Sequence, residues 1–287
     1  MNEVKLYGKA MFVWLISCYV FIFLVSIILT PSLIPNKMIS FNSYELIVMI
    51  LSYIGAFYVF KKIISKNVKL EISHNKLNIK YVVIYSFIIM SIGFIGDYIV
   101  KFLNDIFKSF GFYFIETNVT DIFSYNNTYE FIIVFIYACV IAPILEELLF
   151  RGYAINLFKK YGKKTAILIS ACMFGITHAE FMQILPAIFC GIVLGILYIK
   201  TNDIKVCIAC HMINNIFGII NNYYINLIII IISILLIIFL GRKENLFRVR
   251  KDIKKDKFEI KYVFSSIPLM LFILVCIIIS LSQLRLV

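Results

Sequence analysis

Long apolar runs constrain this chain more than any other feature of its sequence. Hydrophobic residues make up 62% of its 287 residues, which leaves too few polar residues to cover a soluble domain. Each run is long enough to cross about 30 Å of hydrocarbon as a helix. We therefore predict an all-α, polytopic membrane helical bundle with about eight to nine transmembrane helices. The predicted spans lie near residues 11–29, 44–60, 81–100, 131–158, 165–181, 183–199, 203–220, 226–241 and 262–284.

The basic charge follows the predicted topology. Lysine and arginine number 28 against 16 acidic residues, a net charge of +12. With the N-terminus inside, these basic residues concentrate in inner segments such as 61–80, 159–164 and 242–261, as the positive-inside rule predicts. A solvated basic face interleaved with aromatic residues is lacking, so we predict membrane lipids as partners and no nucleic acid.

The chain is divided here into three segments of one membrane domain. These are N-terminal transmembrane helices (1–130), a central core (131–220) and C-terminal transmembrane helices (221–287). The first span is too long for a signal peptide and lacks a small-residue cleavage site, so we expect a retained anchor. The Ile-, Lys- and Asn-rich composition suggests a bacterium with AT-rich coding DNA, which predicts a multi-pass protein of the bacterial cell membrane.

Three charged residues lie within the fourth predicted span, in the stretch PILEELLFRG at 143–152. A charge at the centre of a bilayer costs about 3 kcal/mol on insertion scales, so such residues should face the bundle interior. Glu147 and Arg151 are four residues apart and can pair on one helical face. Glu146 is turned about 100° away and is left for another neighbour.

Two later spans each carry a histidine with a partner four residues away. Phe174 precedes His178 on the fifth predicted span, and Asn215 follows His211 on the seventh. Counting from the inner lysines places Glu146 and His178 at similar depths, with His211 somewhat nearer the inner surface. Three helices could therefore bring a carboxylate, two imidazoles and a carboxamide together inside the membrane.

These residues form three motifs in a specific order. The motifs are Glu146-Glu147-x-x-x-Arg151, Phe174-x-x-x-His178 and His211-x-x-x-Asn215. In this order the sequence resembles the CPBP intramembrane proteases, which include type II CAAX prenyl proteases and bacteriocin-processing or self-immunity proteins. The resemblance covers roughly residues 140–220 and implies that the central segment is a protease core.

The resemblance implies how a peptide bond could be hydrolysed. Hydrolysis needs an activated water, donors for the oxyanion and a proton for the leaving amine. Glu146 would be the general base, and His178 would help to hold and polarise the water. His211 and Asn215 would donate hydrogen bonds to the oxyanion.

The family has also been classed as metalloproteases, and the residue types allow this second mechanism. Glu146, His178 and His211 would supply three zinc ligands and leave a position for water. The sequence alone does not decide between no cofactor and zinc. Glu147 and Arg151 have a supporting role in either case, because they would fix the helix and the electrostatics of the site.

Several alternatives remain open on the sequence alone. Glu147 and Arg151 could be a purely structural ion pair. Residues 207–211 read CIACH and fit a haem-attachment pattern, although they lie inside an apolar span. Intramembrane acidic residues and histidines are also typical of proton-coupled transporters. A third class of function, besides a protease and a transporter, is a non-enzymatic protein that confers bacteriocin immunity by binding the peptide.

If the protein is a protease, a bacteriocin, pheromone or leader peptide is expected as its substrate ahead of a prenylated CAAX protein.

Overall fold

The computed structural model describes residues 1–28, 41–70, 73, 76–115, 128–220, 222–249, 252 and 256–286. Helices form nearly all of the regular structure in these ranges. They are α1 (Asn2–Ile28), α2 (Phe41–Ile64), α3 (Ile79–Ser109), α4 (128–161), α5 (Lys163–Thr177), α6 (Phe181–Thr201), α7 (Ile204–Ile220), α8 (Tyr223–Leu240), α9 (Lys261–Phe264) and α10 (Ile267–Leu281). Two short strands, β1 (Phe112–Phe114) and β2 (Leu284–Leu286), pair antiparallel.

The helix lengths match the predicted membrane bundle. Among the described residues, six helices are long and apolar enough to cross a membrane, namely α1, α2, α3, α4, α6 and α8. Helices α7 and α10 are shorter but apolar, and α5 has 15 residues. Each predicted span thus has a helix at its position, and the predicted all-α polytopic class is confirmed.

Two predicted spans are interrupted in the structure. The span predicted at 165–181 stops at Thr177, because Ala179 adopts a left-handed backbone with φ of 50° and an α-helix cannot continue through it. His178 therefore forms the end of a helix and does not lie within one. The span predicted at 262–284 is divided between α9 and α10. Pro268 lies in the first turn of α10, where its missing N–H has no helical partner to lose.

The helices form two compact units. The first comprises the described residues within 1–69, 118–145 and 259–272, and the second those within 70–117, 146–258 and 273–287. In the first unit, α1 packs along α2. In the second, α3 packs against α6, α7 and α8, while α5 packs against α6 and the 148–155 part of α4. The division of the chain at residues 130 and 220 stays a prediction.

Within the second unit, the segment after α8 fixes the ends of three helices. Lys80 at the start of α3 forms an ion pair of 2.7 Å with Glu244, and Lys200 near the end of α6 donates to the Glu244 carbonyl at 2.6 Å. The hydrogen bond from Lys80 lowers the pKa of Glu244. Asp252 accepts from the backbone N–H of Lys163 at 2.9 Å, so it caps the first turn of α5, the helix that leads to His178.

Candidate active site

The two adjacent glutamates lie in an irregular part of α4. Ala142–Glu147 is α-helical, but π-helical turns precede it at Tyr137–Ile141 and follow it at Leu148–Ile155. Pro143 has no N–H to complete the regular bond to the preceding turn, which accounts for the change of helix type before it. π-Helical turns are frequent at functional sites because they alter the direction of side chains.

Glu147 and Arg151 form the predicted ion pair. Arg151 Nη1 lies 3.1 Å from Glu147 Oε1, and both side chains are 0% exposed. Arg151 Nη2 also donates to the carbonyl of Gly191 on α6 at 3.4 Å. A fully buried charge pair of this kind is stable only while both partners remain. The pair therefore holds the charged part of α4 against α6.

His211 joins this pair and faces both glutamates. Its Nδ1 lies 2.8 Å from Glu147 Oε1, and its Nε2 lies 3.6 Å from Glu146 Oε2. A carboxylate only accepts hydrogen bonds, so Nδ1 carries the proton and Nε2 faces Glu146. Glu147 thus has two partners, Arg151 and His211, whereas the sequence assigned it only the first. Glu146 keeps 18% of its side chain exposed and is the more accessible carboxylate.

His178 is oriented by its own helix. Its Nδ1 lies 2.9 Å from the carbonyl of Phe174, and a carbonyl can only accept, so Nδ1 carries the proton here too. The Nε2 atom of the neutral ring is then left with a lone pair for a water or another ligand. His178 follows directly after the last residue of α5 and is half-buried.

Phe174 lies between the groups that the three motifs supply. Its ring is perpendicular to those of His178 and His211, with centroids 5.0 and 5.6 Å away. The Arg151 guanidinium carbon lies 4.7 Å from the centre of the same ring. The sequence placed Phe174 in a motif but gave it no role. The spacing of four residues between Phe174 and His178 indicated that the two side chains share a helical face. It gave no indication that Phe174 also contacts His211 on α7.

Asn215 lies one helical turn after His211 on α7 and is half-buried. Its Oδ1 accepts from the side-chain amide of Asn214 at 3.2 Å. Direct contacts therefore join Glu146, Glu147, Arg151 and His211, and His178 joins them through Phe174. The amide of Asn215 is oriented by its neighbour on the same helix.

The zinc alternative can be compared with this arrangement. In the part of the chain that the structure describes, no three His, Cys, Asp or Glu side chains are placed to hold a metal ion. The choice between no cofactor and zinc therefore stays undecided, and chelation tests it.

The CIACH cysteines are packing residues in the structure. Both Cys207 and Cys210 are fully buried on α7. Cys207 Sγ is 3.6 Å from the carbonyl of Leu194, and Cys210 Sγ is 3.5 Å from that of Val82. These contacts with α6 and α3 fit the interpretation of the two cysteines as small core residues.

Comparison with known proteins finds one family that matches the central part of the chain. Residues 128–217 match the family described as type II CAAX prenyl endopeptidase Rce1-like. The resemblance to the CPBP family is confirmed. This segment contains every predicted site residue, and it runs from the start of α4 almost to the end of α7.

Two bacterial proteins are similar to the chain over this region. "Putative membrane peptidase YdiL" of Bacillus subtilis (strain 168) is 36% identical over 86 residues, which are 30% of this chain and 35% of that protein. "UPF0177 protein YxdF" of Lactococcus lactis subsp. lactis (strain IL1403) is 34% identical over 80 residues, 28% of this chain and 44% of that protein. The chain thus spans less than half the length of these relatives.

No solved structure matches the chain. The family match and the long apolar helices together establish a multi-pass integral membrane protein. The bacterial cell membrane as its location stays a prediction.

Proposed function

We propose that this chain is an intramembrane endopeptidase that hydrolyses peptide bonds of membrane-associated peptides or proteins. One observation carries the proposal. Two glutamates, an arginine and a histidine from α4 and α7 are in contact with one another, in a segment similar to a family of endopeptidases. Ionisable groups are costly inside a membrane and are rarely kept there without a function.

Glu146 is the proposed general base. Its carboxylate takes a proton from a water molecule, and the resulting hydroxide attacks the carbonyl carbon of the peptide bond. The bare Nε2 of His178 accepts a hydrogen bond from the same water and orients it. When the tetrahedral intermediate collapses, Glu146 returns the proton to the leaving nitrogen and the C–N bond breaks.

His211 and Asn215 are the proposed oxyanion donors. Nδ1 of His211 already donates its proton to Glu147. The ring can therefore donate a second hydrogen bond from Nε2 only when both ring nitrogens are protonated. In that state Arg151 and His211 carry two positive charges against the two carboxylates of Glu146 and Glu147. The four side chains are then neutral as a group, which fits their burial.

Glu147 and Arg151 are proposed as positioning residues. Glu147 sets the orientation of His211, in the way that a carboxylate orients a histidine in many enzyme sites. Arg151 fixes Glu147 and contacts Phe174, which touches both imidazoles. The substrate is proposed to be a bacteriocin, pheromone or leader peptide, with no requirement for a prenyl group.

The test is to compare peptides released from cells that carry wild-type protein or Glu146→Gln. We expect a set of peptides that wild type releases and the variant does not. Glu45→Gln is the matched control, because Glu45 is exposed on α2 and the same chemical change there should leave release intact. Identical peptide sets from wild type and Glu146→Gln would refute the proposal.

Two further measurements separate the alternatives. An immunity phenotype that survives intact in Glu146→Gln would favour peptide binding without proteolysis. Treatment of purified protein with phenanthroline should leave activity in place if Glu146 acts directly. Full loss of activity, restored by added zinc, would instead establish a metalloprotease.

A further inference from the structure

The small β-sheet adjoins the turn that carries His178. The ring of Phe114 in β1 stacks on that of Phe181, the first residue of α6, with centroids 4.0 Å apart. The side-chain amide of Gln283, just before β2, lies 3.5 Å from the carbonyl of Ala179. Ala179 directly follows His178, so the sheet is anchored one residue from a proposed catalytic group.

One outer edge of this sheet is already occupied. The backbone N–H of Phe114 donates to Asn104 Oδ1 at 2.8 Å, and Asn104 Nδ2 donates to the Phe114 carbonyl at 2.9 Å. Backbone groups of successive residues point to opposite sides of a strand. The side chain of Asn104 on α3 therefore replaces a neighbouring strand along this edge of β1.

In the part of the chain that the structure describes, no strand lies beside the other outer edge, on β2. Ile115 N–H donates to the Gln283 carbonyl at 3.2 Å, so Gln283 faces β1 and the backbone groups of Leu284 and Leu286 face outward by alternation. Within the described residues the sheet has two strands. Arg285 Nη1 donates to the outward carbonyl of Leu284 at 2.9 Å, where an added strand would place an N–H.

The side chains of this edge are also accessible. Leu284 is 36% exposed and Leu286 is 83% exposed. They lie two residues apart and so project from the same face of β2. An extended peptide with apolar residues at alternate positions would meet them, while its backbone meets the open edge.

We propose that the outer edge of β2 binds an extended segment of the peptide substrate as a third strand beside His178. This inference rests on the proposed protease function. A protease must hold its substrate extended for the scissile carbonyl to be reached, and strand addition supplies that shape through backbone hydrogen bonds. The apolar alternation of the peptide then sets which segments bind.

The first experiment is photo-cross-linking in the full chain. A benzophenone amino acid replaces Leu286 in the Glu146→Gln background, which binds without cleaving. The probe is a biotinylated ten-residue peptide of alternating leucine and serine. The control probe has the same sequence with alternate backbone nitrogens methylated, so that it keeps its side chains but cannot add as a strand. Phe239, an exposed residue of α8, is the control position.

We expect cross-linking of the unmethylated peptide at position 286, at least about five-fold above both the methylated probe and position 239. Equal labelling by the two probes would overturn the proposal, since it would show an apolar contact without backbone pairing. Cross-links mainly to a second copy of the chain would also overturn it, because they would assign the edge to self-association.

A second experiment uses paired substitutions of Leu284. Leu284→Pro removes an outward N–H and spares the bonds to β1, a placement that edge strands tolerate. Leu284→Ala keeps that N–H. Binding of the unmethylated peptide should fall about three- to ten-fold in the proline variant and less than about two-fold in the alanine variant. Equal losses would contradict backbone pairing at this edge.

The two proposals can fail separately. Cross-linking is measured in a variant that needs no catalysis, so an intact cross-link without any proteolysis by wild type would refute the protease proposal alone. Proteolysis that is unchanged in Leu284→Pro, together with no cross-link at position 286, would refute the strand-edge proposal alone.

Discussion

Replacement of Arg151 by methionine removes the positive charge from the buried pair and leaves an apolar side chain of fairly similar length. Glu147 then remains 0% exposed, with His211 as its one remaining partner among the contacts described above. Removal of one member of a buried ion pair costs about 3–5 kcal/mol. Because His211 can hold a proton beside Glu147, we expect the lower end, about 3 kcal/mol. This corresponds to about a hundred-fold change in the unfolding equilibrium.

The cysteines of the chain provide the assay. Cys190, Cys207 and Cys210 are buried in the folded protein and become reactive towards a maleimide dye when it unfolds. Cys172 is exposed, so it is first replaced by alanine to lower the background. Unfolding of the detergent-solubilised protein is then followed by dye incorporation for each variant.

Two comparison variants separate charge from packing. Arg151→Lys keeps the charge without the planar guanidinium, so it should unfold between wild type and Arg151→Met. The double variant Glu147→Gln, Arg151→Met removes both charges and should recover about 1–2 kcal/mol relative to Arg151→Met. Unfolding of Arg151→Met at the wild-type midpoint would contradict this reasoning, as would purely additive losses in the double variant.

Three further predictions concern neighbouring features. Phe174→Leu should lower the rate of cleavage several-fold with little change in substrate affinity, because the ring that contacts His178 and His211 is lost. Separate measurement of kcat and KM checks this, since kcat should fall and KM should stay nearly the same. Gly175→Ala should destabilise the protein by about 1–3 kcal/mol in the dye assay, since a Cβ there meets the Ile184 carbonyl at 2.7 Å. Gly218→Ala is the control, because a Cβ at that position meets nothing within 4 Å and should leave stability unchanged. Lys80 lowers the pKa of Glu244, so this ion pair stabilises the fold above the ordinary carboxyl pKa of 4.5. The stabilisation is lost as the pH falls through the lowered pKa. The unfolding midpoint of wild type should therefore drop in acid, and Glu244→Gln should lack this drop.

Much of the local structure was predictable because it depends on residues close in sequence. Apolar runs specify helices, since a lipid-embedded backbone must satisfy its hydrogen bonds internally. The Glu147–Arg151 contact followed from a spacing of four residues, and it is present even though the segment after Glu147 is π-helical. The early end of α5 was missed because Ala179 has no composition signal for its left-handed backbone.

The contacts between helices were not predictable in the same way. Glu147 and His211 are 64 residues apart. Helical periodicity predicts which residues of one helix share a face, but it does not predict which other helix packs against that face. The pairing of β1 with β2 joins segments more than 160 residues apart through three residues each. Runs this short carry no pattern that distinguishes a strand from a loop.

The sequence by itself determined that the chain is a membrane bundle and that the charged and imidazole groups of the three motifs lie on, or directly after, three particular helices. These properties follow from hydrophobicity and from the fixed rotation per residue of a helix. Only the tertiary structure decided that Glu147 holds both Arg151 and His211 while Glu146 stays accessible. The rotation of each helix about its own axis is set by side-chain packing with its neighbours, which no single segment contains.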